Sequence, residues 1–393
     1  MNLKRISLIM LCTLLLITRS LAQTTPVPVS SAQTLPTLDD FWGGRATWML
    51  DITDVGLPIG ESDTLAKSDG VYWAYLHASA QSAGVIDQCG APVAFPGCMT
   101  RWESVDGGAS FTLPVAVCAM PCGACPCSDE RDHVGVDAAG VPSAAQQYPR
   151  VAVADDGTHY LAYEWHAQTM LRRSPDGITW GDWAYLTTPG GTWHDDYAPC
   201  SAIERIGAHP NIRGEAVNCL VGAPPGIYVD GDTLYVFVAA GSAPGNLRCY
   251  KGDRHGDLSR LRICDSDPLF SGAPEYGALD AVGAAANPYF DFRYVSSADV
   301  LKVGERYYIA YEGIRGPDVL ERGMDTQFGL GLARSVGDTI DGAWEKYPGN
   351  PLIMDTAFNW GIGHADWLVQ DGITYLYSAT SQTTRGRYTL QWR

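Results

Sequence analysis

An all-β fold, a five-bladed β-propeller closed by an N-terminal strand, is predicted by two features of this 393-residue sequence. The first is a unit that recurs five times: a run of alternating apolar residues, a tight turn with glycine and an aromatic-rich return run. The copies occupy residues 63–78, 150–165, 226–240, 299–313 and 366–380. Each copy predicts a β-hairpin, because glycine tolerates positive φ and aromatic or β-branched residues favour a pleated surface.

The second feature is the spacing of the turn glycines, which are separated by 87, 74, 73 and 68 residues. They are Gly70, Gly157, Gly231, Gly304 and Gly372. Such an interval fits one four-stranded sheet and a loop, and the repetition of such sheets around an axis is typical of a propeller. A propeller brings the starts of its innermost strands to one central funnel. Residues far apart in the sequence can therefore meet there.

The hairpins divide the chain into five predicted blades. We expect them at residues 63–117, 148–188, 220–269, 295–354 and from about 361 onward. The last blade reaches the C-terminus with its third strand, residues 385–393, and residues 45–52 can supply the fourth. Closing the ring in this way removes free sheet edges that would otherwise favour aggregation.

The N-terminus resembles an export signal. Basic residues are followed by an apolar run over residues 8–17 and by small residues up to Ala22. This pattern predicts a signal peptide over residues 1–22, and hence secretion to the extracellular space or the periplasm. The apolar run is too short to cross a membrane, so no membrane anchor is predicted. A flexible leader, residues 23–36, would precede the propeller domain, residues 37–393.

The charge of the chain limits its partners. The formal net charge is −17, and no stretch is rich in lysine or arginine. We therefore expect neither nucleic acid nor an anionic membrane as a partner. No organic cofactor is predicted. A structural Ca²⁺ in the central channel is left open, as is the oligomeric state.

Ten of the eleven cysteines remain after the signal peptide is removed. In an oxidising compartment an even number favours disulfides over a zinc or iron–sulfur site. Local loops could be closed by Cys89 with Cys98, Cys200 with Cys219 and Cys249 with Cys264, and four further cysteines lie between residues 118 and 127. The connectivity stays open at this stage.

Two turns support the propeller independently, because they carry the Asp-box pattern. The first is Ser104, Asp106, Gly108, Ser110 and Phe111, and residues 174–180 repeat it one residue shorter. In such turns the Asp and Ser side chains bind backbone groups while the aromatic residue packs between sheets. We interpret both turns as structural, since they lie on the outer rim.

Charged residues open the inner strands of the aligned hairpins. Counting back from the turn glycines places Asp63 and Arg150 at one level, with Asp299 and Asp366 within two residues of it. We expect all four side chains at or near the funnel mouth. These aspartates have two interpretations: each caps the start of a strand, which is a structural role, or it takes part in catalysis.

The return strands end near the same face, where Glu164 and Glu312 occupy equivalent places. A ring of carboxylates fits glycosidic cleavage, in which a carboxylic acid protonates the leaving oxygen and a carboxylate activates water or attacks carbon. We predict Asp63 as the base and Glu312 as the acid, with Glu164 as the alternative acid and Asp299 as an orienting residue. Ion pairs with rim arginines are the structural alternative for the glutamates.

Further residues are predicted to hold the sugar. Arg150 suits a clamp rather than an acid, because a guanidinium does not titrate in a useful range. His364 and Asp366 would bind alongside it, and Trp193 and Trp360, in polar loops, could stack on a sugar ring. A packed core histidine and inter-blade tryptophans are the structural alternatives.

Four segments, residues 299–313, 331–335, 344–352 and 361–364, are similar to a known superfamily. Through them the chain resembles the five-bladed propeller glycoside hydrolases, which include arabinanases, xylosidases and fructosidases. The resemblance implies that Asp63 is the general base, because the superfamily's base opens the first blade. It also implies that His364, in a Gly-x-Gly-His motif, lies near the channel centre, where such a histidine sometimes stands beside an ion.

Two positions depart from the superfamily pattern. Arg150 stands where blade two has an aspartate, and residues 223–226 stand where blade three has the acid glutamate. The resemblance then implies an acid from another strand, Glu164 or Glu312, or a divergent mechanism, or lost catalysis.

Three functions compete on these observations. The first is a secreted glycoside hydrolase with a carboxylate acid/base pair in the funnel, acting on poly- or oligosaccharides. The second is a non-catalytic carbohydrate-binding propeller that uses the same funnel. The third is a sialidase-like enzyme, suggested by the Asp boxes, Arg150 and Arg293, and it is weaker because such enzymes have six blades and three clustered arginines.

Overall fold

Five antiparallel sheets, the blades, and one short two-stranded sheet are formed by the described residues in the computed structural model of this protein. The structure describes residues 34–57, 62–68, 70–77, 99–112, 147–165, 168–181, 184–185, 187–188, 191–192, 224–240, 245–272, 290–291, 294–314, 328–354, 365–381 and 384–393. Nearly all of the described elements are strands, so the predicted all-β, five-bladed fold is confirmed. None of the described helices is long and apolar enough to span a membrane.

The first two blades account for the N-terminal part of the ring. The chain enters with helix α1 (Leu38–Trp42) and strand β1 (Ala46–Ile52). Blade one contains β2 (Ser62–Ser68), β3 (Val71–His77) and β4 (Met99–Ser104). Blade two contains β5 (Gln147–Val153), β6 (His159–Trp165), β7 (Gln168–Ser174) and β8 (Ala184–Tyr185), and the short pair β9 (Thr187–Thr188) and β10 (Gly191–Thr192) follows it.

Blades three and four are built alike, with two short strands sharing the outer edge. Blade three contains β11 (Gly226–Asp230), β12 (Thr233–Ala240), β13 (Asn246–Asp253), β14 (Arg262–Ile263) and β15 (Phe270–Ser271), with a 3-10 helix at Leu258–Arg260. Blade four contains β16 (Tyr294–Val303), β17 (Arg306–Ile314), β18 (Phe328–Ser335), β19 (Trp344–Lys346) and β20 (Ile353–Met354). In each blade the two short strands pair with the third long strand.

Blade five closes the ring with both ends of the chain. It contains β21 (Asp366–Gln370), β22 (Ile373–Ala379) and β23 (Arg385–Trp392). Strand β1 pairs antiparallel with β23 and completes the sheet in the order β1-β23-β22-β21, with Ala46 opposite Trp392. The predicted closure by an N-terminal strand is therefore confirmed.

The inner strands of the five blades form a continuous ring. Strand β2 contacts β5, β5 contacts β11, β11 contacts β16, β16 contacts β21, and β21 returns to β2. Five apolar clusters fill the interfaces, one between each pair of neighbouring blades. At the first interface Trp73 and Tyr75 pack against Tyr163 and Trp180. Each blade therefore buries apolar side chains on both of its faces, and this burial stabilises the ring.

The hairpin turns have the predicted chemistry. All five turn glycines adopt positive φ, between 58° and 85°, which side chains other than glycine rarely allow. The first Asp box is also formed: Gly108 donates its N–H to Ser104 Oγ (2.9 Å), and Ser110 donates its N–H to Asp106 Oδ1 (2.9 Å). Phe111 is buried. Residues 174–180 repeat these contacts, which stay on the rim.

One of the predicted cysteine pairs lies within the described residues. Cys249 on β13 and Cys264 are joined as a disulfide, with Cα atoms 5.3 Å apart. This joins a long strand of blade three to the turn after β14. The other predicted pairs, the signal peptide and most of the leader lie outside the described residues.

A buried histidine at the interface of blades one and two is sensitive to acid. His159 Nδ1 donates to the Gly157 carbonyl (2.9 Å), so its Nε2 accepts from Lys67 Nζ at 3.1 Å. Lys67 also lies 4.3 Å from the centre of the Trp73 ring. Burial and the Lys67 charge together lower the pKa of His159. The folded protein therefore favours the neutral imidazole.

We expect this histidine to make stability fall in mild acid. Below about pH 6.5 the unfolded chain binds a proton at this residue that the folded chain refuses. Stability is fully present above that pH and is lost as the pH falls toward the lower, folded-state pKa. Thermal unfolding between pH 7.5 and 5 should show a smaller decline of Tm for His159→Gln than for the wild type. The exposed His255→Gln is the control, and an equal decline in all three proteins would contradict the assignment.

Candidate functional site

Two β-bulges lie immediately before the charged residues of blades two and four. Strand pairing is interrupted just before Arg150 in β5 and just before Asp299 in β16. Within the bulges Tyr148 and Ser297 have φ of 55° and 52°, in the left-handed region that few non-glycine residues adopt. A bulge bends its strand and redirects the adjacent side chains. The same device in two blades gives Arg150 and Asp299 equivalent positions.

Arg150 extends from blade two into the centre of the ring. Its Nη1 donates to the Ser62 carbonyl of blade one (3.0 Å). Its Nη2 donates to the Ala365 carbonyl beside blade five (3.2 Å) and to Ser297 Oγ of blade four (2.7 Å). The N–H of Ser297 in turn donates to Pro224 O, at the start of blade three (3.3 Å). One side chain, 3% exposed, thus links the starts of four blades directly and the fifth through Ser297.

Asp63 and Asp299 each bind the neighbouring blade through its backbone. The N–H of Val151, next to Arg150, donates to Asp63 Oδ2. The N–H of Trp367, next to Asp366, donates to Asp299 Oδ2 (2.6 Å). These are the same contact in two interfaces. The structural interpretation of the two aspartates, capping of a strand start, therefore holds for one oxygen of each.

The second oxygen of Asp63 faces charge. Asp63 Oδ1 lies 3.6 Å from Arg150 Nη1, and both side chains are buried. Burial, and then the negative charge of Asp299, raise the pKa of Asp63 well above its usual range, although Arg150 opposes the shift. Burial likewise raises the pKa of Asp299 to about 6, against the attraction of Arg150. Because the charge of Asp299 raises the pKa of Asp63, ionisation of one carboxyl opposes ionisation of the other.

Asp366 is the most enclosed member of the cluster. Its Oδ1 accepts from Ser62 Oγ (3.1 Å) and from Arg385 Nη2. The Asp366 and Arg385 side chains are 0% and 1% exposed. Among the described residues no hydrogen-bond donor faces Asp366 Oδ2. Arg385 opens β23, the strand that also closes the ring.

Glu312 joins the same group from the second strand of blade four. It is buried, and Ser296 Oγ donates to its Oε2 at 3.3 Å. Its negative charge, together with those of the three aspartates, contributes to the raised pKa of Arg150, which burial alone would lower. Glu164 takes the equivalent register position in blade two, opposite Gln147. Glu164 and Glu312 therefore occupy equivalent positions in the strand pairing of their blades.

The structure thus brings five of the nine predicted site residues into one cluster: Asp63, Arg150, Asp299, Glu312 and Asp366. His364, Trp193 and Trp360 lie outside the described residues, and of Glu164 only the strand register is described. Sequence reasoning missed Arg385, Ser62 and Ser297. A serine before an inner-strand aspartate is a weak signal, and the pairing of Arg385 with Asp366 has no local signal at all.

Metal ions in proteins are held mainly by His, Cys, Asp and Glu side chains. Among the residues described, no group of three or more His, Cys, Asp or Glu side chains is placed to hold a metal ion. The cluster can supply buried carboxylates with raised pKa values, which suits proton transfer.

Comparisons with known proteins show which solved structures share this fold. No protein-family model matches the chain, and no match is found among curated proteins. A candidate glycoside hydrolase from Parabacteroides distasonis ATCC 8503 superposes with a TM-score of 0.51 and 13% identity, over 88% of this chain and 96% of that one. A candidate glycosidase from Bacteroides thetaiotaomicron VPI-5482 gives 0.50 and 13%, over 86% and 87%. At such identities the likeness shows a shared five-bladed propeller fold.

The Arg385–Asp366 pair predicts a large loss of stability when it is broken. Arg385→Met would leave the Asp366 carboxylate buried without its cation, which costs about 3–5 kcal/mol in comparable pairs. Denaturant unfolding should show this loss. Arg45→Met is the control, because Arg45 pairs with Asp40 while 61% exposed, and such surface pairs contribute about 0–1 kcal/mol. Similar losses for both variants would show that the buried pair has no special weight.

Proposed function

We propose that this protein is a secreted glycoside hydrolase that uses the central carboxylate cluster on a poly- or oligosaccharide. The observation that carries the proposal is the convergence of Asp63, Asp299, Asp366 and Glu312 from blades one, four and five at the centre of the ring. All of them but Asp299, which is half-buried, are buried. Burying several carboxylates costs free energy. Packing of the core alone does not require such residues. Groups with such perturbed pKa values are typical of functional sites.

The fold supports the same reading. The two solved structures compared above are described as a candidate glycosidase and a candidate glycoside hydrolase. Export to the extracellular space or the periplasm is proposed from the N-terminal signal, and a polysaccharide is a substrate that an enzyme meets there. We propose a carbohydrate as the partner on this combined basis.

The roles follow from charge and position. Asp63, with one oxygen held by the Val151 N–H, is proposed as the base, and Glu312 as the acid, with Glu164 as the alternative acid. Asp299 would set the protonation of Asp63, because its charge acts on that residue directly. His364, Trp193 and Trp360 from the loops would hold the sugar, whereas Asp366, predicted from the sequence to bind beside them, is 0% exposed and binds Ser62 and Arg385.

A substrate panel with one variant tests the enzyme. The oxidised mature protein is incubated with arabinans, xylans, fructans and sialosides, and the released sugar is measured. Asp63→Asn should keep the Val151 hydrogen bond, because its amide oxygen still accepts, but it cannot take a proton. We expect release to fall about 10²–10⁴-fold, the usual contribution of general acid–base catalysis. Asp257→Asn, at an exposed position, is the control, and full activity of Asp63→Asn would remove Asp63 from the mechanism.

A second candidate function, a non-catalytic carbohydrate-binding propeller, is favoured by one observation. Asp63 and Asp299 each use one oxygen to hold the neighbouring blade, so an architectural role accounts for part of their burial. In this case no polysaccharide of the panel releases sugar, while binding to at least one of them persists. Pull-down with insoluble polysaccharide, run on the same samples, separates the two functions.

A further inference from the structure

The acceptors of Arg150 share a feature that the predicted clamp role does not explain. The Ser62 carbonyl directly precedes Asp63, and the Ala365 carbonyl directly precedes Asp366. The third acceptor, Ser297, lies two residues before Asp299 in the β16 bulge. One rigid guanidinium therefore fixes the chain at three points, each adjoining an acidic residue of the cluster.

The same side chain supplies positive charge at the centre. Asp63 on β2, Asp299 on β16, Asp366 on β21 and Glu312 on β17 all attract it. The other described cation at the cluster, Arg385 on β23, is paired with Asp366. Without Arg150, Asp63 and Asp299 would face each other and two further carboxylates with little compensation. Arg150 is also 3% exposed, and two of its nitrogens already donate to protein atoms.

We propose that Arg150 is a positioning residue, which holds the three acidic strand starts in register and offsets the negative charge of the central carboxylates, rather than a sugar clamp. The catalytic part of this inference rests on the proposed hydrolase function. The structural and electrostatic part does not, since it concerns the free protein. The two parts can therefore be tested separately.

The first test needs no substrate. Thermal unfolding of the wild type, Arg150→Met and Arg150→Lys is followed from pH 4 to pH 8. A carboxyl whose folded-state pKa is raised stabilises the fold below its unfolded pKa and loses that contribution as the pH rises. Removing the Arg150 charge raises these pKa values further. Arg150→Met should therefore have a lower Tm than the wild type already at pH 4, where the lost hydrogen bonds count, and the difference should grow toward pH 8.

Two further variants separate charge from packing. Arg172 is equally buried in blade two and donates to the Tyr163 hydroxyl (3.0 Å) and the Gly181 carbonyl (3.3 Å). Arg172→Met should lower Tm by a similar amount at every pH. Arg150→Lys keeps the positive charge but loses the planar guanidinium that donates to several acceptors at once. Because the charge is kept, its loss of Tm should also vary little with pH. A deficit of Arg150→Met that is the same at pH 4 and pH 8 would overturn the electrostatic role.

The second test uses whichever polysaccharide of the panel releases sugar. A positioning residue predicts that Arg150→Lys lowers kcat with little change in KM. It also predicts that Arg150→Met moves the acid limb of the kcat/KM profile upward by about one pH unit or more, as for loss of an adjacent opposite charge. A raised KM with an unmoved limb would show a sugar clamp instead and contradict the proposal.

These outcomes stay distinguishable from failure of the proposed function. If no substrate is cleaved, the hydrolase proposal fails, while the pH dependence of unfolding still decides the role of Arg150 in the fold. If Arg150→Met does not fold, Arg150→Lys and Ser297→Ala decide. Ser297→Ala removes one acceptor and leaves every charge, so it should lower Tm equally at pH 4 and pH 8. A wild-type Tm in both of these variants would overturn the proposal.

Discussion

The guanidinium of Arg150 is the interaction on which the centre of this propeller depends. A ring of five blades has no covalent link across its axis, so the geometry at the axis depends on contacts between strand starts. Arg150 makes those contacts to blades one, four and five from blade two. Its position also offsets the repulsion among buried carboxylates, which would otherwise oppose closure of the ring.

The aspartates, which carry the opposite charge, also hold neighbouring blades together. Asp63 and Asp299 each accept a backbone N–H from the next blade, and Asp366 receives Arg385 from the strand that closes the ring. A carboxylate has two oxygens, so one can hold the fold while the other faces its neighbours. The carboxylates of the cluster therefore hold neighbouring blades together, and two of them, Asp63 and Asp299, also have raised pKa values. The same buried residues can serve the fold and proton transfer.

Much of the fold followed from local chemistry. The five turn glycines, the two Asp boxes and the closing strand near residue 45 all sit where the sequence placed them, because each depends on a few adjacent residues or on a clear repeat. The inner-strand residues Asp63, Arg150, Asp299 and Asp366 lie together at the centre of the ring, since a propeller maps equivalent positions to one axis. What they contact was not foreseen. Arg150 was predicted as a sugar clamp, and its acceptors are backbone carbonyls and the Ser297 hydroxyl of other blades.

The sequence by itself determined the blade count, the turn positions and the level at which charged residues meet, because these depend on periodicity and on intrinsic backbone preferences. Only the tertiary structure decided which charges touch. The Arg385–Asp366 pair and the reach of Arg150 to Ser62, 88 residues away, depend on bulges and on the angle between blades. Such distances arise from packing of the whole ring, and no local pattern in the chain encodes them.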